Sequence, residues 1–233
     1  PFSFFGQPPF SDITLDAGID NIYDVYQGLF GGGVVAFDYN NDGYEDLFIT
    51  GGQGQDVLYK NNGDATFKDI TKESGLFKDR MIVTTGVSSA DVNKDGFVDL
   101  FVTTIASQAD QSKKKKTLAP NLLYINNGDG TFTDFSSKYG IIKNNFSTSS
   151  SFGDINADGY PDLFVGNYFK NFYFEDSPFN THNIALLNHY SINEEYETGD
   201  DQLFINVEGK YFKEVSDLLM DSGKGYGFGG VFT

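Results

Sequence analysis

The chain has 233 residues, no Cys, and a formal net charge of −17 at pH 7. A chain of this length can bury a hydrophobic core as one domain or two small ones. Its 24 Phe and 14 Tyr are more aromatic residues than disordered chains contain. The charge argues against a nucleic-acid partner held by its phosphates. The lack of Cys excludes disulfides and thiolate metal sites, and no apolar run is long enough to insert into a membrane as a helix.

The first recognisable element is PPFSDITLDAGI at 8–19, which matches the later segment ATFKDITKESGL at 65–76. The later copy combines aromatic and β-branched residues with a turn signal, which is typical of a strand and its exit. We therefore predict a partial strand at 8–14 that belongs to an incomplete leading unit of a repeat.

A complete unit of four short strands is predicted at 31–71. The first strand, GVVAF, is small and apolar, and the acidic stretch DYNNDGYED follows it. The strands DLFIT and VLYKN come next, and Asn62-Gly63 is a strong hairpin signal before the fourth strand, TFKDIT. Small residues in the first strand suit the inner edge of a propeller blade, where neighbouring blades crowd the axis.

Two further units repeat this order at 86–136 and 149–216, each with a long segment between its second and third strands. In the second unit this segment is 105–120, with four consecutive Lys. It is expected to be a solvated, mobile loop, and contact with an acidic partner is the alternative. In the third unit the insertion is 167–200, rich in Tyr, Phe and Asn and too long to be structureless. We expect a small capping subdomain there, with a sugar- or protein-binding aromatic surface as the alternative.

The last element is GYGFGGVFT at 225–233, which matches the first strand of a unit. Four-stranded antiparallel units in tandem predict an all-β fold, a β-propeller over 1–233 that is apparently incomplete, with three full blades plus two partial ones. A β-sandwich with repeated hairpins is the alternative. A fourth blade would lack its central hairpin, so either more chain follows or another molecule supplies those strands by edge pairing.

The acidic stretch occurs three times, as DYNNDGYED, DVNKDGFVD and DINADGYPD. Side-chain oxygens at positions 1, 3, 5 and 9, with the carbonyl of position 7, can converge on one ion, and Gly at position 6 permits the closing turn. Hard oxygen ligands favour Ca²⁺ over Zn²⁺, with Mg²⁺ ranked second. We therefore predict three structural Ca²⁺ sites with the ligands Asp38, Asn40, Asp42, Tyr44, Asp46; Asp91, Asn93, Asp95, Phe97, Asp99; and Asp154, Asn156, Asp158, Tyr160, Asp162.

The acidic stretch has two other interpretations. An EF-hand requires a Glu at position 12 and helices on both sides, but position 12 is Ile49, Val102 or Val165 and the flanks are strand-like, which excludes it. An Asx-rich hairpin loop without metal is the other alternative, and three matched copies argue against it. Because all three stretches join the same pair of strands, they should lie on one face, and the long insertions should emerge on the opposite face, where we expect a ligand.

These units resemble FG-GAP/VCBS repeats, the calcium-binding blades of integrin α-subunit heads and many bacterial exported proteins. The segments GGGVVAFDYNNDGYEDLFIT and LYINNGDGTFTD are most similar to the subgroup related to cartilage acidic protein. The resemblance implies a β-propeller with Ca²⁺ in the loop between the first two strands of each blade. It also implies an extracellular or surface setting, with adhesion or carbohydrate contact. Complete propellers of the family have more blades than this chain provides.

The predicted function is therefore an extracellular calcium-binding module for adhesion, protein binding or carbohydrate binding. A self-assembling structural subunit, completed by strands of a neighbouring copy, is the first alternative. No G-x-S-x-G, H-E-x-x-H, Walker or dinucleotide motif is present, so an enzyme is not predicted, and a carbohydrate-active enzyme is the second alternative. Asn145 begins a sequon, NFS, and is a candidate glycosylation site.

Overall fold

The computed structural model describes residues 11–24, 31–76, 82–110, 115–117, 119–169 and 199–219. These residues form three antiparallel sheets, here called blades 1 to 3. Blade 1 contains β1 (Val34–Phe37), β2 (Asp46–Ile49), β3 (Val57–Asn61) and β4 (Phe67–Asp69). Blade 2 contains β5 (Ile82–Ala90), β6 (Asp99–Asp110), β7 (Lys115–Thr117), β9 (Leu122–Asn126) and β10 (Phe132–Asp134). Blade 3 contains β8 (Ala119–Pro120), β11 (Asn144–Gly153), β12 (Asp162–Phe169), β13 (Gln202–Val207) and β14 (Tyr211–Glu214), and the 3₁₀ helix Ser216–Leu218 follows it.

Each blade is built on an antiparallel meander of four strands, and this confirms the prediction of an all-β fold with four-stranded antiparallel blades. Blade 1 has the order β1-β2-β3-β4, and the other two blades repeat it as β5-β6-β9-β10 and β11-β12-β13-β14. The arrangement is that of an incomplete β-propeller. Within the described residues no helix has the length and apolar character needed to cross a membrane.

Two strands depart from the predicted pattern within 105–120. The second strand of blade 2, β6, continues to Asp110 and pairs with β7, so the predicted solvated loop is wrong for these stretches. The short strand β8 leaves blade 2 and pairs with β11 of blade 3, with Ala119 opposite Asn145. The backbone N–H and C=O groups at the end of β6 and the start of β11 are thereby given partners, which a free loop would not supply.

Several predicted segments lie wholly or partly outside the described residues. In the leading partial strand 8–14, residues 11–14 are described, and none of them is in a strand. The trailing segment 225–233 and most of the insertion 167–200 lie outside the described residues, although β12 includes the insertion's first three residues.

The hydrophobic core lies in two layers between the blades. Because successive side chains of a strand point to opposite faces, β6 sends Leu100 and Val102 toward blade 1 and Phe101 toward blade 3. All three side chains have no exposed surface. Strand β9 divides its side chains in the same way, so blade 2 is covered on both faces by its neighbours.

Small residues in the first strands allow the blades to approach. A Cβ built on Gly33 would lie 2.8 Å from Val87 N, and one on Gly86 would lie 2.8 Å from Thr148 O. The prediction that this strand needs small residues at the inner edge therefore has a direct steric reason.

The turn that leaves each fourth strand also joins successive units. The N–H groups of Phe67, Phe132 and Phe212 donate to the carbonyls of Ala17, Ser74 and Tyr139, at 2.7, 2.8 and 2.9 Å. The residue after each of these carbonyl groups is a glycine with positive φ: Gly18 (79°), Gly75 (79°) and Gly140 (83°). The leading segment thus supplies to blade 1 the same exit turn that blades 1 and 2 supply to the blades after them.

Candidate metal centre

Each acidic loop connects the first and second strands of its blade. The loops lie between β1 and β2, between β5 and β6, and between β11 and β12. In all three, position 1 is the residue directly after the first strand, and position 9 is the first residue of the second strand. Repeated connectivity therefore places the three loops at the same end of the blades.

The side chain of position 1 organises each loop through backbone N–H groups. Asp38 accepts from Asp42 N at 3.1 Å and from Gly43 N at 2.7 Å. The corresponding distances are 3.1 and 2.9 Å at Asp91 and 3.1 and 2.7 Å at Asp154. This agreement shows that three different loop sequences fold to one geometry.

Positions 3 and 5 contact each other in the same way in every copy. Asn40 Oδ1 accepts from Asp42 N at 3.1 Å, and Asn40 Nδ2 donates to Asp42 Oδ2 at 2.9 Å. Asp42 Oδ1 in turn accepts from Tyr44 N. The oxygens of positions 1, 3 and 5 are therefore gathered around a short, exposed stretch of backbone, where they are open to an ion from solvent.

Two residues of each loop have a left-handed backbone. The glycine of position 6 does so as predicted, with φ of 87°, 89° and 86°. Position 4 also does so, at Asn41 (58°), Lys94 (59°) and Ala157 (58°), which the sequence did not reveal. No residue type is shared at position 4, so no composition signal could have found it. A non-glycine residue held there carries a steric cost that the rest of the loop must offset.

Position 9 lies beneath the loop and is fully buried. Asp46, Asp99 and Asp162 have no exposed surface. Asp99 accepts from Val92 N at 2.9 Å and from Asn126 N at 2.8 Å, which ties loop position 2 to the end of the third strand. Asp46 and Asp162 make the same two bonds. These carboxylates have a structural role that the sequence interpretation, which gave them metal ligation alone, did not include.

Burial raises the pKa of the position 9 carboxylates. The pKa of Asp99 is raised to about 7 because desolvation outweighs its two backbone hydrogen bonds, and the nearby charges of Asp95 and Asp91 add to the increase. The pKa values of Asp46 and Asp162 are raised for the same first reason. A buried carboxylate with like charges above it would be stabilised by a cation.

The structure does not gather the three carboxylates of a loop into one compact group. Among the described residues, no three acidic or histidine side chains form a cluster that could hold a metal ion by themselves. The donor set nevertheless fits Ca²⁺, since the amide oxygen of position 3 and the carbonyl of position 7 complete a set of hard oxygens. Position 9 uses both its oxygens for backbone N–H groups, but a carboxylate has further lone pairs for an ion.

The aromatic side chain of position 7 has a separate packing role. The ring of Tyr44 lies under Gly63, where a Cβ would come within 2.8 Å of it, and Phe97 lies under Gly128 at 2.7 Å. Tyr160 lies near Gly209 in blade 3. The loop is thus fixed against the hairpin between the third and fourth strands, a contact that the sequence interpretation missed because it considered only the carbonyl of this residue.

In blades 2 and 3, one asparagine of each blade joins its loop end to the preceding blade. Asn126 Nδ2 donates to the Tyr39 carbonyl at 2.7 Å, and Asn206 Nδ2 donates to the Val92 carbonyl at 2.8 Å. Each of these carbonyls belongs to position 2 of the preceding acidic loop. The signal for this role was present in the repeated LY-x-N and LF-x-N endings of the third strands, but its partner could not be read from the sequence.

The candidate glycosylation site Asn145 lies in β11. Its Nδ2, the atom to which a glycan would be attached, donates a hydrogen bond to Gln202 Oε1. Glycosylation of Asn145 stays a prediction.

Three blades of one meander, each with the same oxygen-rich loop, define a repeat protein of the β-propeller class. A family model for FG-GAP-like repeats matches residues 38–102 and 105–165, which is more than half of the chain. The chain belongs to the FG-GAP-like repeat family. It is also 33% identical over 90 residues to cartilage acidic protein 1 of Xenopus tropicalis, and this match covers 39% of the chain but 13% of that protein. The resemblance predicted from the sequence is confirmed.

Proposed function

We propose that the protein is a calcium-stabilised binding module that acts outside the cell or at its surface and binds a protein or glycan partner. Its membership of the FG-GAP-like family and its similarity to cartilage acidic protein 1 support this setting. The proposed role is binding, and no catalytic residue is assigned.

The observation that carries the calcium proposal is the threefold repetition of the loop geometry. Hydrogen bonds to the position 1 carboxylates agree within a few tenths of an ångström in all three copies, although positions 2, 4 and 7 differ in sequence. In the described residues, Lys60 forms an ion pair with Asp42 at 3.2 Å in blade 1, and this is the one such pair with a loop carboxylate. The loops of blades 2 and 3 therefore keep acidic charge that a divalent cation would neutralise.

Each ion would act by stabilising the loop. Asp38, Asn40, Asp42, the Tyr44 carbonyl and Asp46 would hold it in blade 1, and the equivalent residues would hold it in the other blades. Ca²⁺ supplies positive charge and flexible coordination by hard oxygens, which is what this donor set requires. The chain's own residues fix the turn through backbone N–H groups and join it to the next blade.

Native mass spectrometry in calcium and thermal melting in excess chelator test the proposal together. We expect three bound Ca²⁺ ions and a melting temperature at least about 10 °C lower after chelation, because ligand binding to the folded state alone stabilises it. Magnesium at the same concentration should restore less of the loss. A melting temperature that is the same in calcium and in chelator would contradict the stabilising role.

A second role, assembly with another blade of the same type, is favoured by the outer face of blade 3. Position 2 of the acidic loop is buried by the next blade at Tyr39 (6% exposed) and Val92 (0%), but Ile155 of blade 3 is 43% exposed. On blade 1, the Asn61 amide group bonds to Glu45 O in its own blade, without the bond to a preceding loop that Asn126 and Asn206 make. A second copy would bring the Asn61 donor to the Ile155 carbonyl. Sedimentation velocity of the wild type and Ile155→Arg tests this role, and a concentration-independent monomer in calcium would contradict it.

A further inference from the structure

Blade 3 has a polar cavity at the end opposite the acidic loops. Its volume is about 370 Å³, and its lining is formed mainly by amide and carboxylate side chains of β11, β13, β14 and the residues next to them. This volume is within the range of sites for small ligands, roughly 300–1,000 Å³. Blades 1 and 2 have counterparts of Asp201, Glu214 and Ser216, but they have a buried apolar residue at the position of Gln202.

The difference between the blades begins at Gln202. The first residue of each third strand pairs with the fourth residue of the second strand, as Ile49 with Val57, Val102 with Leu122, and Val165 with Gln202. Val57 and Leu122 are buried apolar residues, at 8% and 1% exposed. Gln202 is equally buried, at 5% exposed, so blade 3 has a polar side chain where the repeat otherwise has a core side chain.

The amide of Gln202 is satisfied on one side only. Its Oε1 accepts from Asn145 Nδ2 and, at 3.5 Å, from Asn167 Nδ2. Its Nε2 is buried and makes no hydrogen bond within the described residues. Glu214 lines the same cavity as Gln202, but no hydrogen bond of normal geometry joins the two side chains. A buried N–H donor without an acceptor costs about 1–3 kcal/mol, and a ligand oxygen in the cavity would remove that cost.

The remaining lining is fixed in place by hydrogen bonds. Lys143 Nζ donates to Glu214 Oε1 at 2.8 Å, and Ser216 Oγ donates to the same oxygen at 3.0 Å. Asp201 Oδ1 accepts from Asn167 N at 2.9 Å. The counterparts of Asp201 in the other blades, Asp56 and Asn121, accept the same backbone hydrogen bond. This bond is therefore common to all three blades, whereas the buried polar side chain of Gln202 occurs at its position in blade 3 and not in blades 1 and 2.

The charges and donors around the cavity limit the chemistry of its ligand. Four carboxylates and one ammonium group line it, so an anionic ligand would be repelled. A simple cation would suit the carboxylates but would offer no acceptor to Gln202 Nε2. A hydroxyl group both accepts from an amide and donates to a carboxylate, so neutral polyhydroxyl compounds satisfy both requirements.

An apolar hollow adjoins the cavity. It has a volume of about 180 Å³, shares Gln202 and Glu214 with the cavity, and is lined on its other side by Phe101, Phe204 and Ile142. The polar cavity and the apolar hollow meet at the amide of Gln202. Together they suit a sugar ring, which has hydroxyl groups on its edge and C–H groups on its face.

We propose that the cavity of blade 3 binds a neutral sugar residue, with Gln202 Nε2 donating to one of its oxygens. This inference rests on the proposed binding role and gives it a ligand class. The site lies at the end of the blades away from the acidic loops, so calcium would support it by stabilising the fold and not by contacting the sugar.

Saturation-transfer NMR and calorimetry of the calcium-loaded chain test this inference with defined probes. The probes are the methyl glycosides of glucose, galactose and mannose and N-acetylglucosamine, with glucuronate and putrescine as anionic and cationic comparisons. The variant Gln202→Leu places in blade 3 the residue that blade 2 already has, and Val57→Leu is the matched control in blade 1. We expect at least one neutral sugar to bind, binding at least about tenfold weaker in Gln202→Leu, and unchanged binding in Val57→Leu.

Three results would overturn the inference. They are no binding of any neutral sugar, equal binding by the wild type and Gln202→Leu, and preferential binding of putrescine or glucuronate. The calcium-dependent melt of the same samples separates this outcome from failure of the proposed function. A chain that responds to calcium and binds none of the sugars would overturn the sugar site alone.

Discussion

The two ends of the blades differ in how closely they follow the repeat. At the loop end, Asp46, Asp99 and Asp162 are all fully buried and make the same pair of backbone hydrogen bonds. At the opposite end, the equivalent residues Val57, Leu122 and Gln202 differ in polarity, and the polar one, Gln202, lines a cavity in the described part of blade 3. The loop end is therefore constrained by a shared structural task, whereas the opposite end is free to vary between blades and to acquire a ligand site.

The largest effect is expected when a negative charge is removed from each of the three acidic loops at once. We expect the triple variant Asp42→Asn, Asp95→Asn, Asp158→Asn to lose most of the calcium-dependent rise in melting temperature, about 10 °C or more, since each loop loses a carboxylate ligand. The matched control is Asp217→Asn, an acidic residue of the blade 3 cavity, which should keep the full calcium response. Differential scanning calorimetry with and without chelator measures both, and an undiminished response in the triple variant would contradict the assignment.

The second test asks whether the asparagine at the end of the third strand stabilises the fold more where it bonds to a neighbouring blade. Asn126→Ala should lower the free energy of unfolding by about 2–3 kcal/mol, because the Tyr39 carbonyl would be left buried without its donor. Asn61→Ala is the control, and it should cost about 1 kcal/mol or less since Asn61 is partly exposed and bonds within its own blade. Urea denaturation in calcium gives both values. Equal losses would show that the bond between blades adds nothing.

The third test uses the opposite pKa shifts at the two ends. The folded-state pKa of Asp99 is raised to about 7, so in chelator the stability it contributes is present at acidic pH and is lost as the pH rises toward 7. Burial raises the pKa of Glu214, but its interactions with Lys143, Gln202 and Ser216 together outweigh burial and lower it, so its contribution is present above its unfolded pKa and is lost as the pH falls through the folded value.

We therefore expect the chelated protein to gain about 1–2 kcal/mol of stability as the pH is lowered from 7.5 to 6. The variant Asp99→Asn should not show this gain, because it has no proton to bind. Urea denaturation at a series of pH values checks this, and a gain of the same size in Asp99→Asn would assign the effect to another group.

The smallest expected effect is at the ion pair of the opposite end. Lys143 contacts Glu214 Oε2 at 2.6 Å, but its side chain is 60% exposed. Lys143→Met should therefore cost less than about 1 kcal/mol, and it should raise the pKa of Glu214. NMR titration of the Glu214 carboxyl resonance measures the second effect, with Lys210→Met as the control for a fully exposed lysine. A Glu214 pKa that is the same in Lys143→Met would show that the other hydrogen bonds are sufficient.

Sequence alone predicted the parts of the fold that are encoded locally and repeated. The β-branched and aromatic residues of segments such as VLYKN and DLFVT predicted strands, and Asn62-Gly63 predicted a hairpin, because these signals depend on a few neighbouring residues. The extension of β6 to Asp110 and the crossing of β8 to the next blade were missed, since both depend on partners far along the chain.

The candidate site was predictable to a similar extent. Glycine at position 6 predicted a positive φ, but no sequence signal indicated the left-handed backbone at Lys94 and Ala157. The hydrogen bond between Asp99 and Asn126 could not be predicted because it joins residues of different strands. Nothing in the sequence DDQLFIN distinguishes Gln202 as a site residue. Its role is indicated only by the strand register, which shows that Val57 and Leu122 occupy the equivalent positions of the other blades.

The sequence by itself determined the family, the strand order within a blade, and which oxygens each acidic loop contains, because all of these are short-range patterns written three times. Tertiary structure alone decided which groups are buried between blades, why Asp99 has a raised pKa, and where a polar cavity opens. The physical reason is that desolvation and hydrogen-bond partners between blades depend on three-dimensional packing, which brings together residues more than 80 positions apart, as in the bond from Asn126 to Tyr39 (87 positions).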